Sequence, residues 1–66
     1  MDIQLNGEPR DCATGTTITK LLHGEGLAER RVAVEVNGEI VPRSRHATSV
    51  LQDGDHVEIV HALGGG

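Results

Sequence analysis

Residues 32–38 read VAVEVNG, which is the clearest strand signal in the chain. Three valines alternate there with a small residue and a charged one, the period-2 pattern of a strand that buries one face. The Asn37-Gly38 pair that ends the stretch tolerates the positive φ angles of a tight turn. Ile40-Val41 continues as a short strand, which Pro42 stops. The stretch therefore predicts a strand, a tight turn and a second, shorter strand.

The same pattern occurs at the start of the chain. Ile3 and Leu5 alternate with polar residues, and Asn6-Gly7 separates them from a second strand-like stretch at residues 8–12. Asn-Gly between two such runs is a strong hairpin signal. We therefore predict an N-terminal hairpin.

One short helix is predicted after this hairpin. Ile18, Leu21 and Leu22 fall on one helical face, with Thr16 as the expected N-cap and Gly24 as the stop. A helix of roughly two turns is not stable in isolation. Its apolar face must therefore pack on a sheet.

A last strand is predicted at residues 56–62. Val57 and Ile59 lie on one face of this strand, and Val60 and Ala62 lie on the other. Apolar residues on both faces indicate a central strand, or a strand whose outer face is covered by a partner.

The predicted element order is strand, strand, helix, strand, short strand, strand. If the helix crosses one sheet face, the first and last long strands can lie side by side and parallel at the centre. This order predicts an α+β fold of the ubiquitin-like β-grasp type, a mixed four- to five-stranded sheet with one main helix packed on one face. Residues 1–63 would form the domain, and residues 64–66 a flexible glycine tail.

Composition narrows the classes of function. The chain has 66 residues, no aromatic residue, one cysteine and a net charge of -4. A domain of this size has a small core. Negative charge and missing stacking rings argue against nucleic acid and favour a basic protein partner. Cys12 alone closes no internal disulfide, and neither a signal peptide nor an apolar run of ~20 residues is visible, so we expect a cytoplasmic protein without membrane contact.

The end of the sequence, Ala62-Leu63-Gly64-Gly65-Gly66, departs from ordinary composition. A terminal carboxylate is ionised at neutral pH and can attack the α-phosphate of ATP to form an acyl adenylate. Glycines suit such an end because without Cβ the chain can pass through a narrow channel. The alternative is a frayed terminus or an expression remnant.

The chain offers no group of side chains for catalysis of its own. No base, metal site and oxyanion hole occur together in the sequence, which predicts a protein acted on by enzymes rather than an enzyme. His56 and His61 fall on opposite faces of a strand, so no metal site is expected. Cys12 is interpreted as a half-buried hydrophobe, and His23 as a cation at the end of the helix.

Five segments taken in order resemble a known family, the ThiS sulfur carriers of thiamine biosynthesis. They are residues 34–37 (VEVN), 40–43 (IVPR), 53–55 (DGD), 57–60 (VEIV) and the Gly65-Gly66 end. The resemblance covers essentially the whole chain. It implies a β-grasp fold and a protein cosubstrate that binds no cofactor itself.

The resemblance also implies a reaction sequence at Gly66. A ubiquitin-activating-like adenylyltransferase of the ThiF type would adenylate its carboxylate with ATP and Mg. A cysteine desulfurase or another persulfide donor would supply sulfur for a thiocarboxylate, which then gives sulfur to a thiazole synthase of the ThiG type. Gly64 and Gly65 would lie in the partner's channel, and Gly64 is one glycine more than a minimal family ending needs.

A docking face is expected beside this tail. Ala33, Val60 and Ala62 share the predicted outer face and could form an apolar patch. Glu35 and Glu58 flank it and could steer the carrier towards a basic activating site. The alternative is ordinary scattered surface apolarity.

Three other functions stay open at the level of sequence. One is a molybdopterin synthase small subunit-like sulfur carrier, with the same fold and terminal chemistry. Another is a ubiquitin-like modifier conjugated to lysines. The last is a plain interaction domain with an incidental glycine end, because a fold alone does not fix function.

Overall fold

The computed structural model describes residues 1–61. The predictions for Ala62, Gly64, Gly65 and Gly66, and the boundary between domain and tail, lie outside the described residues. Within the described part, none of the helices has the length and apolarity that crossing a bilayer requires.

Residues 1–61 form five strands, one α-helix and one short 3₁₀ helix. The strands make a single mixed sheet in the order β2-β1-β5-β3-β4. The elements are β1 (Asp2–Leu5), β2 (Glu8–Asp11), α1 (Ile18–Gly24), β3 (Val32–Val36), β4 (Glu39–Val41), the 3₁₀ segment (Arg43–Arg45) and β5 (His56–His61). The predicted order of elements is confirmed.

Strand β5 occupies the centre of the sheet. It runs parallel to β1, where Leu5 lies opposite Val57, and antiparallel to β3, where Val34 lies opposite Ile59. The parallel contact includes a 2.9 Å hydrogen bond from the Asn6 N–H to the Val57 carbonyl. The predicted central, parallel pairing of the first and last strands is confirmed.

The Asn6 side chain extends this parallel pairing beyond the end of β1. Asn6 has a φ of 51° and Gly7 a φ of 81°, so the chain turns out of the sheet there. The Asn6 Oδ1 accepts a 2.8 Å hydrogen bond from the backbone N–H of Ile59. Strand β1 ends before it could pair with the Ile59 N–H. The Asn6 side-chain oxygen accepts this hydrogen bond in place of a backbone carbonyl.

Asn37 has the corresponding position in the second Asn-Gly turn. Its φ is 52°, and its Oδ1 accepts a 2.9 Å hydrogen bond from the backbone N–H of His56. Its Nδ2 donates to Asp55 Oδ1 at 3.0 Å. The first residue of β5 is therefore held by a turn of the neighbouring hairpin.

The core lies between α1 and one face of the sheet. Ile18 on the helix and Val34 on β3 are fully buried. The buried apolar side chains are all aliphatic, and they are Ile3, Leu5, Ile18, Leu21, Leu22, Val34, Leu51, Val57 and Ile59. The apolar helix face and the inward strand residues predicted from periodicity are confirmed.

The N-cap prediction was wrong by one residue. Thr17 caps the helix, and its hydroxyl accepts from the Lys20 N–H at 3.2 Å. Thr16 instead donates its hydroxyl to the Ala13 carbonyl and accepts the Leu51 N–H with its own carbonyl at 2.9 Å. A long-range backbone contact therefore decides which threonine caps. Gly24 ends the helix as predicted.

The two edge strands of the sheet, β2 and β4, each have a feature that limits backbone pairing on the outer side. Edge strand β2 contains Pro9, which has no backbone N–H to donate. Edge strand β4 has three residues, and Nε2 of the buried His46 lies 2.9 Å from the carbonyl oxygen of Val41.

Two valines on neighbouring strands test the assignment of the core. Val34→Ala removes methyl groups from a site with 0% exposure and should lower the free energy of unfolding by about 2–3 kcal/mol. Val60→Ala makes the same chemical change at a residue that is 55% exposed. It should change the free energy of unfolding by less than about 0.5 kcal/mol. Urea denaturation measures both, and equal losses would contradict the assignment.

Two substitutions at Asn6 test its hydrogen bond to Ile59. Asn6→Gly keeps the left-handed backbone accessible but removes the acceptor, and should lower the free energy of unfolding by about 1–2 kcal/mol. Asn6→Asp keeps an oxygen at this position and should retain most of the stability. Amide exchange should accelerate at Ile59 in Asn6→Gly relative to Asn6→Asp. Similar amide exchange at Ile59 in both variants would show that this hydrogen bond does not stabilise the fold.

Candidate functional site

The sheet face opposite α1 is open on strands β3, β4 and β5. We call the outer face the side chains of Ala33, Glu35, Ile40, Glu58 and Val60. The strand register places Ala33 directly opposite Val60, and Glu35 directly opposite both Glu58 and Ile40. Three strands therefore present these five side chains as one surface.

Aliphatic side chains form part of the outer face. Val60 is 55% exposed and Ile40 is 62% exposed, and Ala33 is also exposed. Ala33 and Val60, two of the predicted docking residues, are cross-strand neighbours on this face. The third, Ala62, lies outside the described residues.

Ile40 is a member of this face that sequence reasoning missed. In the two-residue run Ile40-Val41, periodicity does not indicate which side chain points outward. The register resolves it, because Val41 pairs with buried Val34 and Ile40 pairs with Glu35. The signal that could have found Ile40 is its position relative to the Asn37-Gly38 turn, which sets the register of the hairpin.

Two carboxylates lie side by side on the outer face. Glu35 and Glu58 are directly opposite each other on adjacent antiparallel strands. The salt bridges found within residues 1–61 involve Asp11 and Glu25, so neither glutamate of this pair has a cation within salt-bridge distance there. Like charges directly opposite each other destabilise a sheet. The pair also makes this face attractive to a basic surface.

The outer face adjoins the last described residues of β5. This strand ends at His61, opposite Val32, and pairs with strands on both sides. Only His61 lies between Val60, with its exposed side chain, and the segment 62–66. The predicted sulfur-carrying Gly66 and the predicted channel residues Gly64 and Gly65 therefore follow in sequence from the central strand of the sheet.

The remaining polar candidates lie elsewhere. Cys12 is half-buried and packs against the core, as predicted, and His23 lies in the last turn of α1. His56 and His61 are exposed on β5. Within residues 1–61, no group of three His, Cys, Asp or Glu side chains is arranged to hold a metal ion.

Comparison with known proteins gives matches over the full chain. The Escherichia coli sulfur carrier protein ThiS is 33% identical over 66 residues, covering 100% of both chains. The crystal structure of a thiamine biosynthesis protein (ThiS) from Geobacter metallireducens superposes with a TM-score of 0.86 at 35% identity and full coverage of both chains. The described sheet and helix thus have the ubiquitin-like β-grasp fold.

A longer relative contains the same sequence pattern. A thiazole synthase from Magnetococcus marinus is 48% identical over 66 residues, which cover 100% of this chain and 20% of that protein. The chain therefore spans one fifth of the length of this relative.

The family model described as the ThiS family matches residues 3–66. This match includes both Asn-Gly turns, the outer face, the central strand and the glycine end. The chain belongs to the ThiS family.

Proposed function

We propose that the chain is a sulfur carrier protein of thiamine biosynthesis. The observation that carries this proposal is the match to the ThiS family through residue 66, on a fold whose central strand leads directly to the glycine segment. The relatives named as sulfur carriers and as a thiazole synthase support the same pathway. In this role the chain is a cosubstrate, and its partners are the enzymes.

The proposed reaction takes place on the carboxylate of Gly66. A carboxylate oxygen attacks the α-phosphorus of ATP, pyrophosphate leaves, and an acyl adenylate forms. The terminal sulfur of a cysteine persulfide then attacks the acyl carbon and AMP leaves. A second thiol cleaves the resulting acyl disulfide, is itself oxidised to a disulfide, and leaves a thiocarboxylate. That sulfur is the one passed to a thiazole synthase.

The partners of each step follow from this chemistry. An adenylyltransferase of the ThiF type would supply ATP, Mg and transition-state stabilisation. A cysteine desulfurase or another persulfide donor would supply sulfur. Gly64 and Gly65 would pass through the partner's channel, because a chain without Cβ is narrow and takes backbone angles closed to other residues. A cytoplasmic location fits these partners.

The outer face is proposed as the surface that docks on the adenylyltransferase. Its aliphatic side chains would be covered by the partner, and Glu35 and Glu58 would meet basic side chains there. Two unneutralised carboxylates on one face raise the association rate with a cationic surface. Their mutual repulsion in the free protein would be relieved in the complex.

The first test follows the sulfur atom. Incubation with ATP, Mg, an adenylyltransferase of the ThiF type and a persulfide donor should raise the intact mass by the difference between one sulfur and one oxygen atom. Fragmentation should locate the change at Gly66. Deletion of Gly66 is the control variant and should abolish the exchange. If several competent adenylyltransferases give no exchange of oxygen for sulfur, the carrier proposal is contradicted.

The fate of the sulfur and the effect of deleting Gly66 also distinguish the alternative functions. If the sulfur is transferred to a molybdopterin precursor, and thiazole synthase does not use it, the chain is a carrier of the molybdopterin synthase class. Isopeptide adducts on lysines of other proteins would identify a modifier. A plain interaction domain would keep its partner affinity when Gly66 is deleted.

The second test concerns the carboxylate pair of the outer face. The double variant Glu35→Gln/Glu58→Gln should slow association with the adenylyltransferase roughly three- to tenfold at low salt. It should also raise the free energy of unfolding by about 0.2–1 kcal/mol, because the like-charge contact is removed. Stopped-flow kinetics and urea denaturation measure these opposite effects.

Glu8→Gln is the matched control for this pair. Glu8 is an exposed acid on edge strand β2, away from the outer face. An equal slowing by Glu8→Gln, or an association rate that does not depend on salt, would show that the outer face does not steer the encounter.

A further inference from the structure

A second concave site lies on the helix side of the sheet, separate from the outer face. It is a cavity of about 170 Å³ between α1, the loop that precedes β3, and the segment that begins with the 3₁₀ helix. None of the outer-face residues lines it. The lining residues are Thr19, Leu22, His23, Ala28, Arg30, Val32, Arg43, His46 and Ala47.

The cavity lining contains two arginines. Arg30 and Arg43 reach the cavity from two different segments, and no acidic side chain lines it. Neither arginine forms a salt bridge with a carboxylate of residues 1–61. The chain as a whole has a net charge of -4, whereas the charged side chains of this lining include two arginines and no carboxylate. This lining favours an anionic ligand.

The ring of His46 belongs to the polar part of the lining, together with Thr19 and His23. Its side chain is 5% exposed, and its Nε2 lies 2.9 Å from the Val41 carbonyl oxygen. A carbonyl only accepts, so Nε2 carries the hydrogen of this bond. Nδ1 has no hydrogen-bond partner within residues 1–61 and no buried, unpaired side-chain nitrogen occurs there. The hydrogen bond from Nε2 holds the His46 ring in the wall of the cavity.

Four of the lining residues are apolar. Leu22 is buried against the core, and Val32 packs against the same cluster. Ala28 and Ala47 complete this part. A cavity of about 150 Å³ in a protein core accommodates benzene. The available space therefore suits a compact apolar group of that size.

We propose that this cavity binds a phosphate monoester with a compact apolar body. The non-bridging phosphate oxygens would accept hydrogen bonds from Arg30 and Arg43, and the body would lie on Leu22 and Val32. A phosphate is favoured over a carboxylate because a planar carboxylate is satisfied by a single bidentate guanidinium. Two guanidinium groups from separate segments match a tetrahedral group with three free oxygens and a higher charge. The proposal does not depend on the sulfur-carrier function.

Phenyl phosphate is the probe that tests this site. Titration of ¹⁵N-labelled full-length protein at constant ionic strength should shift backbone amides around the cavity, and saturation should occur at concentrations on the order of 1 mM. Inorganic phosphate, which lacks the body, and phenol, which lacks the charge, should each bind at least about fivefold more weakly. Equal binding of either control compound would overturn the proposal.

Arginine variants test the recognition of the phosphate. Arg30→Gln and Arg43→Gln should each weaken phenyl phosphate binding roughly five- to tenfold. Arg45→Gln is the matched control, because Arg45 lies in the same 3₁₀ helix as Arg43 but does not line the cavity. A well-dispersed amide spectrum confirms that each variant is folded. An equal loss with Arg45→Gln, or no loss with the other two, would show that phosphate binds by general charge alone.

Discussion

Strand β5 is paired along both of its edges, and the rest of the domain depends on this constraint. Its parallel contact with β1 is continued past the end of β1 by the Asn6 side chain, which accepts the Ile59 N–H at 2.8 Å. In β5, the side chains of Val57 and Ile59 are buried in the core, whereas those of Glu58 and Val60 are exposed on the other face. The same short strand thus joins the aliphatic core, the outer face and the glycine end.

Most of the fold was predictable from local chemistry. Asn6-Gly7 and Asn37-Gly38 predict the two hairpins because both residues accept positive φ angles, and alternation identifies the buried valines. The helix cap was not predictable, because Thr16 and Thr17 are equivalent locally and the contact between Thr16 and Leu51 lies 35 positions apart in sequence. Periodicity fails in the same way for Ile40, whose orientation is set by pairing with β3.

Stability and recognition make opposite demands on this small sheet. The core is built from aliphatic side chains alone, and a core of this size supplies few kcal/mol beyond the entropy of folding. Even so, Glu35 and Glu58 repel each other on adjacent strands, and Ile40 and Val60 remain exposed. The charge contact destabilises the free domain slightly, and the exposed aliphatic side chains gain nothing from folding. A complementary basic and apolar surface would relieve the repulsion and bury these side chains. The outer face is for that reason the surface on which we propose that the adenylyltransferase docks.

The hydrogen bond between His46 and Val41 has a consequence for the mode of recognition. It occupies a carbonyl oxygen of edge strand β4, and Pro42 ends the strand directly afterwards. At the opposite edge, Pro9 interrupts the row of N–H donors of β2. Neither border offers the continuous row of backbone groups that β-augmentation requires. Strand addition at these two edges is therefore disfavoured, both for a binding protein and for further copies of the domain.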